Sequence, residues 1–410
     1  GQDFTPAAFE EKRWGVSIGG PIVPDNLFFF FAYEETDLGD ANDFGPAGGG
    51  FPNEARFVTQ AQFDEFAQIA NDVYGQDTGG YPRSLPESSV RYFGRLDWYL
   101  NEDHRLEGTY QRLEETNVES DFFPSDITGL NSFEDEGTIS DYYSLRLYSD
   151  WSENFSTEVR LSRAEVGDVQ GPVGGGEAQS GNPIPRIAVD VVGQTEIGIL
   201  STGPGVFRSS NQLDTTVDQL RINANLRAGD HDFKFGVDIN DLTVFNLFAI
   251  NSTGTLFFDG LDNFRNGIVA PGFFNFAFAS ADDIVNGGPV GGATISATPS
   301  GDINEAAATF NRTIFSFYAQ DTWQATDQLT VNAGVRVEIF DGDAPRVNPA
   351  FSTRYGFSNS LPFSQLDPLV LPRLAVTYDF DDFEGILRNS SITGGVGLFS
   401  GGDPIVWISN

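Results

Sequence analysis

The sequence predicts an all-β fold, an antiparallel transmembrane β-barrel with short turns at one rim and long loops at the other. Apolar and polar residues alternate with a period of two in many segments, as they do in strands with one apolar face. The 410 residues include 38 phenylalanines and 46 glycines but no cysteine or methionine, a composition that favours aromatic strands and turns over helices. No apolar run approaches the roughly 18 residues that a membrane helix needs, which excludes crossing by helices but not by the strands of a barrel.

The alternation is clearest between Gln328 and Ile339. The apolar positions there are Leu329, Val331, Ala333, Val335, Val337 and Ile339. The intervening positions are polar, charged or glycine. Similar patterns occur near residues 95–100, 142–148, 158–161, 219–226, 233–240, 315–323 and 373–380. Together they predict roughly a dozen strands of about ten residues each.

The connections between these strands alternate between two lengths. Short turns are predicted at 24–26, 101–104, 152–154, 227–230, 324–327 and 381–385, and long connections at 36–89, 116–137, 168–210, 251–308 and 341–370. Repeated long loops are uncommon in soluble domains, whereas outer-membrane barrels have short periplasmic turns and long extracellular loops. We therefore expect residues 1–410 to be part of one outer-membrane barrel domain, with the five long connections outside the cell.

Tryptophans mark the same rim as the short turns. Trp98, Trp151 and Trp323 each stand just before such a turn. Amphipathic rings prefer the membrane interface, so these three are predicted to be interface aromatics, although large aromatics also close strand ends in soluble β-proteins.

The first long loop contains one segment with helical periodicity. Residues 59–74 place Phe63, Phe66, Ile69 and Ala70 on one stripe, which predicts a short surface helix. The loop also holds nine acidic residues and two basic ones, so part of the negative charge is expected in external water.

The formal charge of −36 bears on partners and ions. Such acidity repels phosphate backbones and argues against nucleic acid as a partner. No cofactor is expected, although weakly bound divalent cations would be compatible with acidic groups in the loops. These groups are Asp341 and Asp343, and Asp379, Asp381, Asp382 and Glu384, none with EF-hand spacing. A hydrated, charged rim is the simpler interpretation.

The sequence does not support catalysis. His104 and His231 are the only histidines, each beside a predicted short turn, where we expect solvated side chains. No nucleophile elbow or phosphate-binding loop is present, so the chain is not expected to be an enzyme.

The functional candidates are charges on the polar faces of the strands, which would face the lumen of a barrel. They are Arg95, Asp97, Arg146, Glu158, Arg160, Lys234, Asp238, Arg336 and Glu338. These charges could pair across neighbouring strands, hold an internal plug, or contact a ligand directly.

Several segments, in this order, also resemble a known family. The run from Gly19 to Ile22 followed by LFFFFAY and Glu34 resembles the early barrel of Oar-like TonB-dependent receptors. FYAQDTW at 317–323 with LTVNAGVRVE at 329–338 is similar to the typical hairpin of these barrels, and LPRL at 371–374 with GVGLF at 395–399 is similar to a later strand pair. The resemblance implies a receptor in the bacterial cell outer membrane, in contact with its lipid, that takes up a ligand by TonB-coupled active transport. It also implies a barrel of about twenty-two strands around an internal plug.

The chain departs from that family by omission. No plug domain, energy-coupling box or closing strands are recognisable, so the chain is expected to be an incomplete segment of such a barrel, and the ligand is not identifiable. Two alternatives stay open at this point. One is a non-transporting outer-membrane barrel for adhesion or surface structure. The other is a soluble acidic β-sandwich binding protein with its apolar faces buried between two sheets.

Overall fold

The structure is a computed structural model that describes residues 10–120, 125–270, 293–296, 298, 300–380 and 389–401. Its largest element is a twelve-stranded antiparallel sheet, here called the wall, in which neighbouring strands follow the order of the chain. The strands are β1 (Lys12–Val23), β2 (Leu27–Asp37), β3 (Glu87–Tyr99), β4 (His104–Glu119), β5 (Glu134–Ser152), β6 (Phe155–Pro172), β7 (Asn211–Ala228), β8 (His231–Phe248), β9 (Ala308–Thr326), β10 (Leu329–Gly342), β11 (Leu369–Asp379) and β12 (Ser391–Gly397). The all-β antiparallel prediction is confirmed.

Short and long connections alternate along the wall. Short turns occupy 24–26, 100–103, 153–154, 229–230 and 327–328, and long connections occupy 38–86, 120–133, 173–210, 249–307 and 343–368. The predicted turn at 381–385 lies outside the described residues. The short turns therefore share one rim of the wall, and the long connections share the other.

Several strands are longer than the predicted ten residues, and β5 and β9 reach 19 each. The backbone hydrogen bonds between neighbouring strands continue beyond the point where the residues on the apolar face become charged. Arg112 on β4 pairs with Asp141 on β5, and Arg163 on β6 pairs with Asp218 on β7, all on the same face as the apolar residues below them. The alternation detected only the apolar part of each strand, because these charged residues interrupt it.

The wall exposes its apolar face and buries the charged side chains of its polar face. On the apolar face, large side chains such as Leu145 and Leu161 are 47% and 52% exposed. On the polar face, Glu107, Asp238 and Glu338 are only 5–7% exposed. A soluble protein buries its apolar residues and exposes its charges. This exposure argues against the soluble β-sandwich alternative, which would bury the apolar face between two sheets.

The long connections carry secondary structure of their own. There are three helices in the described residues: α1 (Gln60–Tyr74), α2 (Gly260–Arg265) and α3 (Pro349–Tyr355). Separate 3-10 turns occur at Leu130–Ser132, Ile303–Ala306 and Phe363–Gln365. Further strands are Asp40–Ala41, Phe44–Ala47, Asn53–Thr59, Ser84–Leu85, Asp126–Thr128, Arg186–Val192, Ile197–Thr202, Thr255–Asp259 and Ala293–Thr294. Five of these strands, from the second, third and fourth long connections, form one sheet. We call this sheet, with strand Asn53–Thr59, α1 and α2, the cap.

The cap has its own hydrophobic core. Helix α1 begins after Thr59, which forms a capping box with Gln62, and ends before Gly75 in the left-handed conformation. The predicted stripe of four residues is buried, and the ring of Phe66 stacks on Phe264 of α2 at 5.2 Å. Burying each of the three large side chains, Phe63, Phe66 and Ile69, contributes about 1.5–3 kcal/mol. The helix thus ties the first long connection to the fourth, rather than lying free on the surface.

Candidate functional site

The polar face of the wall carries a connected set of ion pairs, which begins on β3 to β6. Arg95 lies 2.6 Å from Asp97 and 3.0 Å from Glu107, and Arg105 lies 2.9 Å from Asp97. Arg146 reaches Glu107 at 3.8 Å and Glu158 at 3.4 Å. We call these six residues the β3–β6 network. Its three arginines and three carboxylates balance in charge, and Glu107 at the centre is almost fully buried.

The ion pairs continue on β7 to β10. Arg221 contacts Asp238 at 2.6 Å, and Gln219 joins Asp238 at 3.1 Å to Arg160 at 2.9 Å. On β10, Arg336 contacts Glu338 at 2.8 Å and Ser316 at 2.6 Å. Tyr318 donates a hydrogen bond to Asn223 on the same face. Polar side chains from eight neighbouring strands therefore form a nearly continuous hydrogen-bonded layer, which fixes their positions.

All nine charged residues named from the sequence lie on this one face. Seven take part in the ion pairs above, Arg160 binds Gln219, and Lys234 lies beside Gln320 in the neighbouring strand. Sequence reasoning missed three partners: Arg105, Glu107 and Arg221. Arg221 stands between the apolar residues Leu220 and Ile222, so the alternation of its strand already placed it on the polar face. Arg105 and Glu107 lacked a clear signal, because the opposite face of β4 includes Gly108, Tyr110 and Arg112 instead of an apolar run.

The three predicted interface aromatics lie near the short turns and are 42–60% exposed. The indole nitrogen of Trp98 donates to Asn26 at 3.1 Å, and that of Trp151 donates to Thr157 at 2.8 Å. Trp323 stacks against His231 at 5.5 Å, and His231 Nδ1 lies 2.7 Å from Asp321. The ring of His231 thus stacks on Trp323 and Phe233 beside the short turn, while its side chain stays 38% exposed to solvent.

The cap contains one buried ion pair. Arg186 lies 2.8 Å from Asp126 and 3.2 Å from Ser201, and the two charged side chains are 6% and 1% exposed. Burial raises the pKa of Asp126, and the nearby Arg186 opposes that shift. Since Asp126 and Arg186 belong to different long connections, the pair links them inside the cap.

Three carboxylates meet at the loop ends of β4 and β5. Glu119, Glu134 and Glu136 each place one oxygen within 4.8 Å of the others, and Arg208 contacts Glu134 and Glu136. Glu119 lies nine residues beyond Tyr110 along β4, outside the apolar part of the strand. A hydrogen bond to Glu136, together with burial, raises the pKa of Glu119 to about 7. The same hydrogen bond lowers the pKa of Glu136.

A pH dependence follows from this pair. Because the folded-state pKa of Glu119 lies above its ordinary value of 4.5, its contribution to stability is present below about pH 4.5 and is lost as the pH rises through 7. We expect hydrogen-exchange protection at 117–119 and 134–136, corrected for intrinsic rates, to fall between pH 5 and pH 8. Glu119→Gln keeps a donor at every pH and should abolish that fall. An unchanged pH dependence in this variant would rule out Glu119 as its source.

The acidic groups expected to attract divalent cations differ in their surroundings. Asp343 accepts a hydrogen bond from the backbone of Asn311 at 2.8 Å, and Asp341 accepts one from Gly342 at 2.9 Å. Asp381, Asp382 and Glu384 lie outside the described residues. Weak divalent binding at these loops stays a prediction. The Glu119, Glu134 and Glu136 group offers hard oxygen ligands of the kind calcium prefers, with Arg208 competing for two of them.

Comparison with solved structures gives matches to outer-membrane proteins. The outer membrane transporter YddB from Escherichia coli is 10% identical, with a TM-score of 0.52, over 96% of this chain and 39% of that one. FpvA of P. aeruginosa, solved with bound pyoverdines, is 12% identical (TM-score 0.49, 91% and 39%). The copper transporter OprC is 11% identical (TM-score 0.47, 96% and 45%). The chain thus spans about two fifths of the length of these structures, and the likeness to YddB shows a shared fold.

Sequence comparison gives the family. No curated protein matches the chain. Among the described residues, no helix is long and apolar enough to cross a bilayer. An outer membrane beta barrel domain matches residues 45–401, most of the chain. The chain therefore belongs to the outer membrane beta barrel domain family, and its location is the bacterial outer membrane.

Proposed function

We propose that this chain forms wall and loops of a receptor that takes up a ligand by TonB-coupled active transport. The observation that carries the proposal is the reversed burial of the wall. Its apolar face is exposed, as lipid contact requires, and its polar face holds buried, mutually paired charges. In this arrangement the nine predicted charges line the lumen, and Trp98, Trp151 and Trp323 lie at the periplasmic membrane interface.

The paired charges suit a pathway wall better than a fixed ligand site. Each carboxylate of the β3–β6 network already contacts at least one arginine, so most of the layer is satisfied without a ligand. A satisfied, rigid polar layer keeps an open lumen hydrated while the barrel retains its shape. The cap, at the rim of the long loops, then supplies a folded outer surface for the first encounter with a ligand.

Energy-dependent uptake tests the proposal. The full-length receptor is expressed in cells that lack it, and accumulation of radiolabelled ferric siderophores, an oligosaccharide and a peptide is measured with and without the TonB complex. We expect one class of probe to accumulate only when both receptor and TonB are present. Accumulation that persists without TonB would contradict active transport. Loss of surface adherence on deletion, with no change in the uptake of any probe, would instead support the adhesion alternative.

A further inference from the structure

Besides Arg160, which binds Gln219, two cations on the polar face stand apart from the ion pairs. Lys234 and Arg373 have no carboxylate within salt-bridge distance among the residues that the structure describes. Arg373 instead places its guanidinium 4.5 Å from the ring centre of Phe399. In a chain with a net charge of −36, two uncompensated cations on the same face are unexpected.

The two cations belong to one row across four strands. Lys234 is paired with Gln320, Gln320 with Gly334, and Gly334 with Arg373. Neighbouring strands are about 4.8 Å apart, so the backbones of Lys234 and Arg373 are about 14 Å apart, a gap that two long side chains can largely close. We call Lys234, Gln320, Gly334 and Arg373 the cationic row.

The row borders a depression that can hold a small molecule. Its volume is about 550 Å³, and its lining includes Lys234, Gln320, Arg373, Tyr318 and Phe399. Gly334 has no side chain, so the space above the sheet between the two cations stays open. Arg336 lies beside it but is already bound to Glu338. The depression thus combines two cations that lack a carboxylate partner, the side-chain amides of Gln320 and Asn332, and two aromatic rings.

We propose that the cationic row is an anion-binding site for a carboxylate-bearing solute. Lysine and arginine side chains recognise carboxylates by charge-assisted hydrogen bonds, and the amide of Gln320 adds a donor between them. Tyr318 and Phe399 offer apolar surface to the rest of the solute. The inference rests on the proposed function, because a solute meets this face only if the wall surrounds its route.

Charge-selective labelling tests the site in the full-length receptor in outer-membrane vesicles. These 410 residues contain no cysteine, so Gln320→Cys introduces the only thiol among them, and any cysteine elsewhere in the full-length receptor is first replaced by serine. We expect this thiol to react roughly tenfold faster with a sulfonate-bearing than with a trimethylammonium-bearing methanethiosulfonate reagent. Citrate, used as the probe anion, should slow the reaction. Changing Lys234 and Arg373 together to glutamine should remove both effects.

The matched control is Thr109→Cys, which lies on the same face beside the charge-balanced β3–β6 network and should react with both reagents at similar rates. Equal rates at position 320, or faster cationic labelling, would overturn the site. An anionic preference without protection by citrate would also overturn it. If Thr109→Cys reacts while Gln320→Cys reacts with neither reagent, the row is closed to solutes, and this result would also overturn the site. Because labelling needs no transport, uptake without anion preference contradicts only this inference, and anion preference without uptake contradicts only the proposed function.

Discussion

Leu147→Arg is expected to destabilise the folded wall by about 2–4 kcal/mol. This is the cost of placing a basic side chain near the middle of the bilayer on the lipid face of a barrel. Leu147 lies on the apolar face of β5, six residues from the short turn at 153–154. Its cross-strand neighbours are Leu106 and Val159. The charge would therefore be surrounded by aliphatic side chains and lipid tails.

Ser144→Arg is the matched control for Leu147→Arg. Ser144 lies three residues away on the polar face of the same strand, between Thr109 and Ser162, which are small and uncharged. Urea unfolding in lipid vesicles and the amount of assembled protein in the outer membrane are measured for both variants. We expect a large loss for position 147 and a small one for position 144. Equal losses, or a larger loss at position 144, would contradict the assignment of the two faces.

Removing Arg186 is expected to unfold the cap while the wall stays intact. Arg186→Ala leaves the nearly fully buried Asp126 without its cation. Breaking a buried pair by removing one partner destabilises by about 3–5 kcal/mol, because the remaining charge is desolvated and uncompensated. The strands at 126–128 and 186–202 should then lose protection together, since the pair joins their connections.

Limited proteolysis of intact cells, with hydrogen exchange on purified protein, separates the cap from the wall. We expect Arg186→Ala to increase cleavage within 173–210 without changing protection in β5 to β8. The double variant Arg186→Met with Asp126→Leu removes both charges and should recover most of the protection. Cleavage that stays at the wild-type level, or equal loss of protection in cap and wall, would show that the ion pair does not stabilise the cap.

The wall could be predicted from sequence because its determinants are local. The alternation between Gln328 and Ile339, the turns such as 24–26 and 153–154, and the charged residues on the polar faces are all visible within a few residues. The strand ends beyond Arg112 and Arg163 were not visible. There the ladder is held by backbone hydrogen bonds and cross-strand charges instead of an apolar stripe.

The cap could not be predicted, because its contacts join distant parts of the chain. Asp126 and Arg186 are 60 residues apart, and the carbonyl of Phe264 accepts a hydrogen bond from Tyr74, 190 residues away, at 2.6 Å. The apolar stripe on α1 predicted a helix with one buried face, but no residue near the helix in sequence indicated that this face packs on Phe264. Lys234 was named as a polar-face charge, but its lack of a carboxylate partner depends on register across four strands.

The two faces of β10 are expected to lie in opposite environments, lipid and water, and spin-label accessibility measures this difference. Single cysteines at Val331 and Val335 on the apolar face, and at Thr330 and Asn332 on the polar face, are labelled in the full-length protein in lipid bilayers. We expect oxygen, which partitions into lipid, to relax the labels at 331 and 335. A water-soluble nickel chelate should relax those at 330 and 332. The same preference at all four positions, or the reverse pattern, would contradict a wall with lipid on one side and water on the other.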